Sequence, residues 1–127
     1  MNMQVDDRPV LIMAGGTGGH VFPALAVALY LRDCGVPVCW LGTEQGLESR
    51  VVKEHKITLY PINVKGVRGK GFMERIKGVL KALYGVIEAL QVVRRVRPRC
   101  ILGLGGYVAG PGGVAGWLCR VPLVIHE

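Results

Sequence analysis

A glycine-rich segment near the start of the chain (residues 15–20, GGTGGH) constrains the fold more than any other part of the sequence. It follows an apolar run at residues 10–14 and precedes a helical pattern at residues 23–31. A strand, a glycine turn and a helix in this order direct unpaired backbone N–H groups and the positive end of the helix to one point. Such a point suits an anionic ligand group or a developing oxyanion, and His20 adds a side chain that titrates near neutral pH.

Short apolar segments and helical patterns alternate along the rest of the chain. Strands are predicted at residues 10–14, 36–41, 57–62, 100–102 and 123–125, and helices at residues 23–31, 47–55, 72–96 and 114–119. This alternation predicts an α/β fold, a Rossmann-like parallel sheet with helices on both faces. Ligands of such sheets bind at the carboxyl ends of the strands.

A second glycine segment (residues 103–113) follows the fourth predicted strand. Seven of its eleven residues are glycine or proline, and we predict a loop over its whole length. A tight turn with close helix–sheet contact is the alternative, but it would require only one or two glycines. Because both glycine segments follow strands of the same parallel sheet, we expect them to form one composite cleft.

Neither segment has the sequence of a common nucleotide-phosphate loop. The dinucleotide fingerprint requires G-x-G-x-x-G and an acidic residue about twenty residues later. Val21 stands where the third glycine is required, and the second predicted strand ends without an acid, Glu44 being a weak substitute. The P-loop requires Gly-Lys followed by Ser or Thr, whereas Gly19 is followed by His20. We therefore expect no cofactor.

Composition suits one domain with its own core. The 127 residues are half hydrophobic, with a mean hydropathy of +0.37. No apolar stretch reaches the roughly 18 residues of a membrane-spanning helix, and Asp6 and Asp7 argue against a secretory signal. The four cysteines are scattered without metal-type pairing, so we expect reduced, mostly buried thiols and no metal site.

Positive charge is concentrated in the middle of the chain. The net charge is +7, and residues 50–99 contain thirteen Lys or Arg against three acids. Nucleic acid, a phosphate-bearing substrate, an anionic membrane and a merely solvated basic face all agree with this charge. No nucleic-acid partner is expected, because aromatic residues are not interleaved with the basic ones.

Several motifs resemble those of the MurG-type glycosyltransferases. Residues 13–23 (MAGGTGGHVFP) resemble the first glycine loop of that family, and residues 103–111 resemble its second. Residues 122–127 resemble the strand that follows, while residues 40–43 and 66–71 match the spacing of the family. The similarity spans essentially the whole chain.

The resemblance implies an inverting transferase that moves N-acetylglucosamine from UDP-N-acetylglucosamine to undecaprenyl-diphosphate-muramyl-pentapeptide in peptidoglycan synthesis. It implies a GT-B fold of two Rossmann-like domains facing a cleft, with residues 1–127 as most of the N-terminal, acceptor-side domain. Since no helix follows the fifth predicted strand, we expect a piece of a longer protein that lacks the donor-binding domain and is inactive alone. It also implies a peripheral location at the cytoplasmic face of the bacterial inner membrane.

A second hypothesis is a non-catalytic subunit that recruits a separate catalytic chain to the membrane, as in split glycosyltransferases. The gene sequence beyond codon 127 distinguishes the two hypotheses. A third glycine loop downstream indicates one complete enzyme, whereas a stop codon indicates the subunit.

An inverting transferase needs a base that deprotonates the acceptor hydroxyl and positive charge that stabilises the leaving diphosphate. His20, at the predicted helix start, is the best base candidate, because the helix dipole favours a neutral imidazole there. A histidine that only caps or packs on the helix is the alternative. Glu127, at the end of a predicted strand, is a second candidate base or orienting carboxylate.

The resemblance also suggests residues that contact the substrates. The donor contacts of the family's N-terminal domain correspond to Thr17, Gly18 and Gly19. The acceptor diphosphate pocket is expected to be shaped by Gly105, Gly106 and Tyr107, with a half-buried core position as the alternative for the tyrosine. Arg68 and Lys70 lie on a predicted loop, where they either contact phosphate or are solvated.

The predicted helix at residues 72–96 carries two apolar stripes. The stripe that we expect to face the core consists of Val79, Leu83, Val86, Leu90 and Val93. The other consists of Ile76, Leu80, Tyr84 and Ile87 and is flanked by cations that include Lys77 and Lys81. A second stripe flanked by cations suits an anionic bilayer, and since the family's acceptor is a membrane lipid we predict a peripheral membrane patch. One wide stripe facing the core is the alternative.

Overall fold

The computed structural model describes residues 6–63 and 71–126. Its strands are β1 (Val10–Ala14), β2 (Val38–Gly42), β3 (Thr58–Pro61), β4 (Cys100–Gly105) and β5 (Leu123–Ile125). Its helices are α1 (Gly18–Asp33), α2 (Leu47–Glu54), α3 (Phe72–Val96) and α4 (Ala109–Leu118).

The five strands form one parallel sheet in the order β3-β2-β1-β4-β5. The chain moves outward from β1 to β3 and then returns to the other side of β1 to add β4 and β5. The strand order therefore reverses between β1 and β4, and the segments that follow these two strands are neighbours at the carboxyl edge of the sheet. The predicted α/β fold with a parallel sheet is confirmed.

Different helices cover the two faces of the sheet. Every residue of β1 is buried, and its alternate side chains enter different apolar clusters. Val10, Ile12 and Ala14 pack with α1 and α2, whereas Leu11 and Met13 pack with α3 and α4. A strand that buries both faces in this way belongs to the interior of a doubly covered sheet, as the continuous apolar run predicts.

The second glycine segment is only partly a loop, so the prediction of a loop through residue 113 is wrong. Helix α4 already begins at Ala109 and contains three of the glycines. A Cβ added at Gly112 would lie 2.9 Å from Leu41 Cδ2, and one at Gly116 would lie 2.6 Å from Ile101 Cδ1. Gly112 therefore serves the close approach of α4 to the sheet, a packing role that the loop prediction did not allow for.

Helix α3 has the predicted bounds, but of the predicted core stripe only Val93 is fully buried. Its buried residues are Gly78, Gly85, Ala89 and Val93, and it packs against α4. Val79 and Leu83, which were expected in the core, are 59% and 55% exposed. Small residues on the packing face let the two helices approach closely, so the large side chains of the first half of α3 are left outside the contact.

The four cysteines are free thiols, but they are less buried than expected. Cys39 is buried, Cys100 and Cys119 are half-buried, and Cys34 is exposed. Burial raises the pKa of the Cys39 thiol from 9.0 to about 12. Partial burial also raises the pKa of Cys100, against a smaller opposing effect of the Arg99 charge.

Candidate functional site

The two glycine segments touch each other at the carboxyl edge of the sheet. The backbone N–H of Gly15 donates to the carbonyl oxygen of Gly105 over 3.3 Å. Gly106 passes so close to the backbone of Gly15 that no side chain would fit between them. The φ angles of Gly16, Gly105 and Gly106 are +91°, +109° and +93°, which favour glycine. The two segments therefore lie together, as a composite cleft would require, and their contact needs glycine on both sides.

The amino terminus of α1 has no side-chain cap. Thr17 stands at the N-cap position, with φ −109° and ψ 157°, but its hydroxyl makes no capping hydrogen bond and the first turn contains no acid. Instead, Thr17 Oγ1 lies 3.3 Å from His20 Nδ1. A threonine at this position usually satisfies one of the first backbone N–H groups of the helix. Here the N–H of His20 donates to the Thr17 carbonyl over 3.1 Å, and no side chain in the described part of the chain caps the N–H groups of Gly18 and Gly19. Uncapped N–H groups at a helix start suit an external anion.

His20 ends the first glycine segment, packs against the second and is partly buried. A Cβ added at Gly105 would stand 2.7 Å from His20 Cδ2 and 2.9 Å from Nε2, so the imidazole packs directly on the second segment. When Nδ1 carries the proton and donates it to Thr17 Oγ1, Nε2 presents a lone pair. In that tautomer the ring has the free acceptor nitrogen that a general base requires, and the Thr17 hydroxyl, which can donate or accept, can contact Nδ1 in either tautomer.

Glu48 is a site residue that the sequence interpretation missed. Its side chain is fully buried although it bears a carboxylate. Glu48 Oε1 accepts hydrogen bonds from the backbone N–H of Thr43 at 2.8 Å and from Thr43 Oγ1 at 2.7 Å. Glu48 Oε2 accepts a longer bond, 3.4 Å, from the backbone N–H of Gly16. The carboxylate thus ties the loop after β2 to the first glycine segment.

Three glycines make room for this carboxylate. Cβ atoms added at Gly15 and Gly42 would lie 2.9 Å from Glu48 Oε1 and 2.6 Å from its Cγ, and Gly46 is closer still. The signal for Glu48 was an acid in the first helical turn after two spaced glycines. Glu44, considered above as a substitute for the acid of the dinucleotide fingerprint, is exposed, and its Oε1 lies 3.8 Å from the Lys53 ammonium.

The second segment adds another helix start to the same edge. Val108, the N-cap residue of α4, is buried, and the N–H of Ala109 donates to the Gly106 carbonyl over 3.3 Å. Tyr107 is 60% exposed, which excludes the core position considered for it. Its ring is therefore accessible to a ligand at the mouth of the two segments.

The residues predicted for the site fall into two groups. The structure brings together Thr17, Gly18, Gly19, His20, Gly105, Gly106 and Tyr107. Glu127, Arg68 and Lys70 lie outside the described residues. In the described part of the chain, no three His, Cys, Asp or Glu side chains are grouped as a metal site would require.

The patch predicted on α3 is exposed. Ile76, Leu80, Tyr84 and Ile87 are 41–59% exposed and lie on the side of the helix opposite Gly78 and Ala89. The flanking cations Lys77 and Lys81 are exposed as well. More large apolar side chains extend this surface, namely Phe72, Met73, Val79 and Leu83. This excludes one wide stripe facing the core. Within the described residues, no helix is both long and apolar enough to cross a membrane.

Comparison with known proteins identifies related chains. A protein from Alkalilimnicola ehrlichii named UDP-N-acetylglucosamine--N-acetylmuramyl-(pentapeptide) pyrophosphoryl-undecaprenol N-acetylglucosamine transferase is 60% identical over 119 residues, which cover 94% of this chain and 33% of that protein. A protein of the same name from Pseudomonas putida is 51% identical and matches 98% of this chain and 35% of its own length. The chain thus spans about a third of the length of these curated relatives.

Solved structures agree with the sequence relatives. The crystal structure of MurG from Acinetobacter baumannii superposes with a TM-score of 0.82 at 44% identity, covering 94% of this chain and 35% of that one. A UDP-GlcNAc 2-epimerase from Neisseria meningitidis, 18% identical with a TM-score of 0.68 over 94% of this chain and 32% of its own, shares the fold alone. The profile of the glycosyltransferase family 28 N-terminal domain matches residues 10–127. The chain therefore belongs to this glycosyltransferase family.

Proposed function

We propose that this chain is the acceptor-side domain of an inverting transferase that moves N-acetylglucosamine from UDP-N-acetylglucosamine to undecaprenyl-diphosphate-muramyl-pentapeptide. The observation that carries the proposal is the contact of two glycine segments and two helix starts around His20, where the strand order of the sheet reverses. Ligands of open parallel sheets bind at this position. The names of the relatives from Alkalilimnicola ehrlichii and Pseudomonas putida supply the substrate pair.

In the proposed reaction, His20 is the general base. Its Nε2 takes the proton of the acceptor hydroxyl while that oxygen bonds to the anomeric carbon of the donor sugar. The bond between this carbon and the diphosphate oxygen breaks, and UDP leaves with the bonding electrons. Thr17 Oγ1, 3.3 Å from Nδ1, orients the ring and accepts from Nδ1 in the tautomer that the base requires. Glu127 remains a second candidate for the base or for an orienting carboxylate.

The substrate contacts are also part of the proposal. Thr17, Gly18 and Gly19 contact the donor, where the uncapped start of α1 favours negative charge. The acceptor diphosphate lies against Gly105 and Gly106, and Tyr107 contacts it from the exposed side. Glycine is suited to these positions because a phosphate can approach the backbone directly.

The lipid-linked acceptor requires access to a membrane. We propose that the exposed apolar face of α3, with Lys77 and Lys81 beside it, lies on an anionic membrane surface. The protein would then be peripheral, at the cytoplasmic face of the bacterial inner membrane. No nucleic-acid partner is proposed.

The test uses a complete transferase in which this chain replaces the first third of the Alkalilimnicola ehrlichii relative. The substitution His20→Ala should lower turnover by about 100-fold or more, the usual contribution of a general base, without lowering the melting temperature. His55→Ala is the matched control, because His55 is remote from the glycine segments in sequence and bonds its own helix at Val51 O. Unchanged turnover of His20→Ala would remove His20 from the mechanism. If the unsubstituted chimaera is inactive alone and transfer appears only when a separate catalytic chain is added, the recruiting subunit is favoured.

A further inference from the structure

A second charged feature lies at the opposite, amino-terminal edge of the sheet. There the ends of α3 and α4 and the starts of β4 and β5 enclose a depression of about 680 Å³. Five arginines line it, namely Arg8, Arg94, Arg97, Arg99 and Arg120. The other lining residues are apolar or carry a thiol, and none is acidic.

Little of this positive charge is neutralised by the described residues. Asp6 is paired with Arg8 at 2.9 Å, and hydrogen bonds from Arg8 hold the pKa of Asp6 at about 2. The one other ion pair found among residues 6–63 and 71–126 joins Lys53 to Glu44, away from the depression. The remaining four guanidinium groups therefore have no carboxylate partner in the described part of the chain.

Helix ends do not account for this charge. Each helix carboxyl end carries about half of a negative elementary charge, so α3 and α4 together offset roughly one of the four guanidinium charges. The remaining guanidinium charges repel one another, and an anionic ligand bound in the depression would reduce this repulsion.

The side chain of Arg99 is hydrogen-bonded to the backbone, and two further arginines occupy left-handed backbone positions. Arg99 Nε donates to the Arg8 carbonyl over 2.6 Å, and its Nη2 donates to the Asp6 carbonyl. Arg97 and Arg120 follow the ends of α3 and α4 with φ of +50° and +57°. Glycine is favoured at such left-handed positions, yet both carry an arginine that lines the same depression.

We propose that this depression is a second anion site, which binds a phosphate-bearing ligand with at least two negative charges. Guanidinium groups present paired N–H donors that match phosphate oxygens. The site is distinct from the glycine segments, because the six residues of β4 place it about 20 Å away along the sheet. The phosphate belongs either to a soluble diphosphate compound or to a lipid headgroup, and the experiment separates these sources.

The first measurement is a titration of the chain with inorganic pyrophosphate at low ionic strength, followed by amide NMR. We expect saturable shifts at the amides of Arg97, Arg99 and Arg120. In the double variant Arg97→Gly/Arg120→Gly, affinity at these amides should fall at least tenfold, which corresponds to about 1.4 kcal/mol. Because glycine is preferred at both positions, the double variant should melt at the same temperature as the unsubstituted chain or higher.

Lys56→Gly is the matched control, since it removes one cation from a left-handed position (φ +57°) after a different helix. It should leave the pyrophosphate affinity unchanged. Shifts at Gly16, Thr17 and Gly18 report the glycine segments separately, so the proposed transferase cleft and the arginine site succeed or fail independently. Equal affinity in the unsubstituted chain and the double variant would overturn the proposal.

The second measurement is co-sedimentation with vesicles of phosphatidylglycerol and phosphatidylcholine. If pyrophosphate produces no shifts but binding to these vesicles weakens in the double variant and not in Lys56→Gly, the ligand is a lipid phosphate. If pyrophosphate shifts the arginine amides and vesicle binding is the same in all three proteins, the ligand is soluble. If neither probe depends on Arg97 and Arg120, the site does not exist.

Discussion

The imidazole of His20 packs on the backbone of Gly105, so the helix that follows β1 contacts the last residue of β4. Nothing larger than hydrogen fits on the α-carbon of Gly105 without displacing the ring, since an added Cβ would stand 2.7 Å from Cδ2. This single contact positions the proposed base relative to the proposed diphosphate pocket. Substitutions that disturb it should affect catalysis before they affect the rest of the fold.

Gly105→Ala should abolish most of the transfer activity of the chimaera and destabilise the fold. A side chain at φ +109° costs about 1–3 kcal/mol, and the methyl group would also displace His20. Gly110→Ala is the control, because Gly110 is in α4 with no neighbouring atom within 4 Å of an added Cβ. Turnover and urea denaturation measure the two effects. Full activity in Gly105→Ala would contradict the contact.

Thr17→Val should lower turnover about tenfold with little change in stability, because the imidazole loses the hydroxyl that orients its ring in the proposed mechanism. Thr17→Ser keeps the hydroxyl and should retain most of the activity. Nitrogen-15 NMR of the imidazole measures the tautomer directly. If valine and serine behave alike, the hydroxyl of Thr17 has no orienting role.

Glu48→Gln should destabilise the chain by about 1–3 kcal/mol, because the amide NH2 of glutamine would face a backbone N–H that now has an acceptor. The exchange of the Gly16 amide with solvent should become faster. Glu44→Gln serves as the comparison, since Glu44 is exposed and should tolerate the change. An unchanged exchange rate at Gly16 would argue against the tie between the two loops.

Ile76→Glu and Leu80→Glu should each weaken binding to anionic vesicles by about tenfold or more. Each replaces an exposed apolar side chain, which the membrane would bury in the proposed contact, with a charged one. Tyr30→Glu is the control: Tyr30 is exposed, at 69%, on α1, which covers the other face of the sheet. Co-sedimentation provides the measurement. Equal loss in all three variants would show that the added negative charge, and not the α3 surface, is responsible.

The free energy of unfolding should decrease as the pH rises from 9 toward 12. Burial raises the pKa of Cys39 from 9.0 to about 12, so between these values the unfolded chain loses the thiol proton and the folded chain retains it. The stabilisation is complete below pH 9 and is lost as the pH approaches 12. Urea denaturation at several pH values should show a steeper decline for the unsubstituted chain than for Cys39→Ala. Cys34→Ala, at an exposed thiol, should match the unsubstituted chain.

Much of the fold was predictable because its signals are local. The apolar run of β1 and the helical pattern of α3 appear directly in the sequence, and the structure places both within the predicted bounds. The glycines at 15, 16, 105 and 106 also indicated their own role, since close backbone contact and positive φ require glycine.

The remaining features depend on contacts between distant segments. In the sequence Gly112 has the features of a loop residue, but in the fold it lets α4 pack on Leu41. Val79 has the features of a core residue, but Gly78 and Gly85 form the face of α3 that packs against α4. An acid in the first turn of a helix, such as Glu48, is usually solvated. Glu48 is buried because the fold places Gly15 next to it. These contacts arise from the pairing of β1 with its two neighbours, which spacing along the chain does not show. For Glu48 the sequence offered only an acid in the first helical turn after two spaced glycines.

The central position of β1 has a consequence for the order of folding. Gly15 and Gly105 are neighbours in space, but they are 90 residues apart in the sequence, and β1 first pairs with β2 and only later in the sequence meets β4. Contacts of such long sequence separation form slowly. The first glycine segment therefore leaves the ribosome long before the second segment, which it contacts through Gly105, has been synthesised. A ligand that touches both segments would bind only the completed sheet and would stabilise it by mass action, so ligand-induced protection would report that folding has finished.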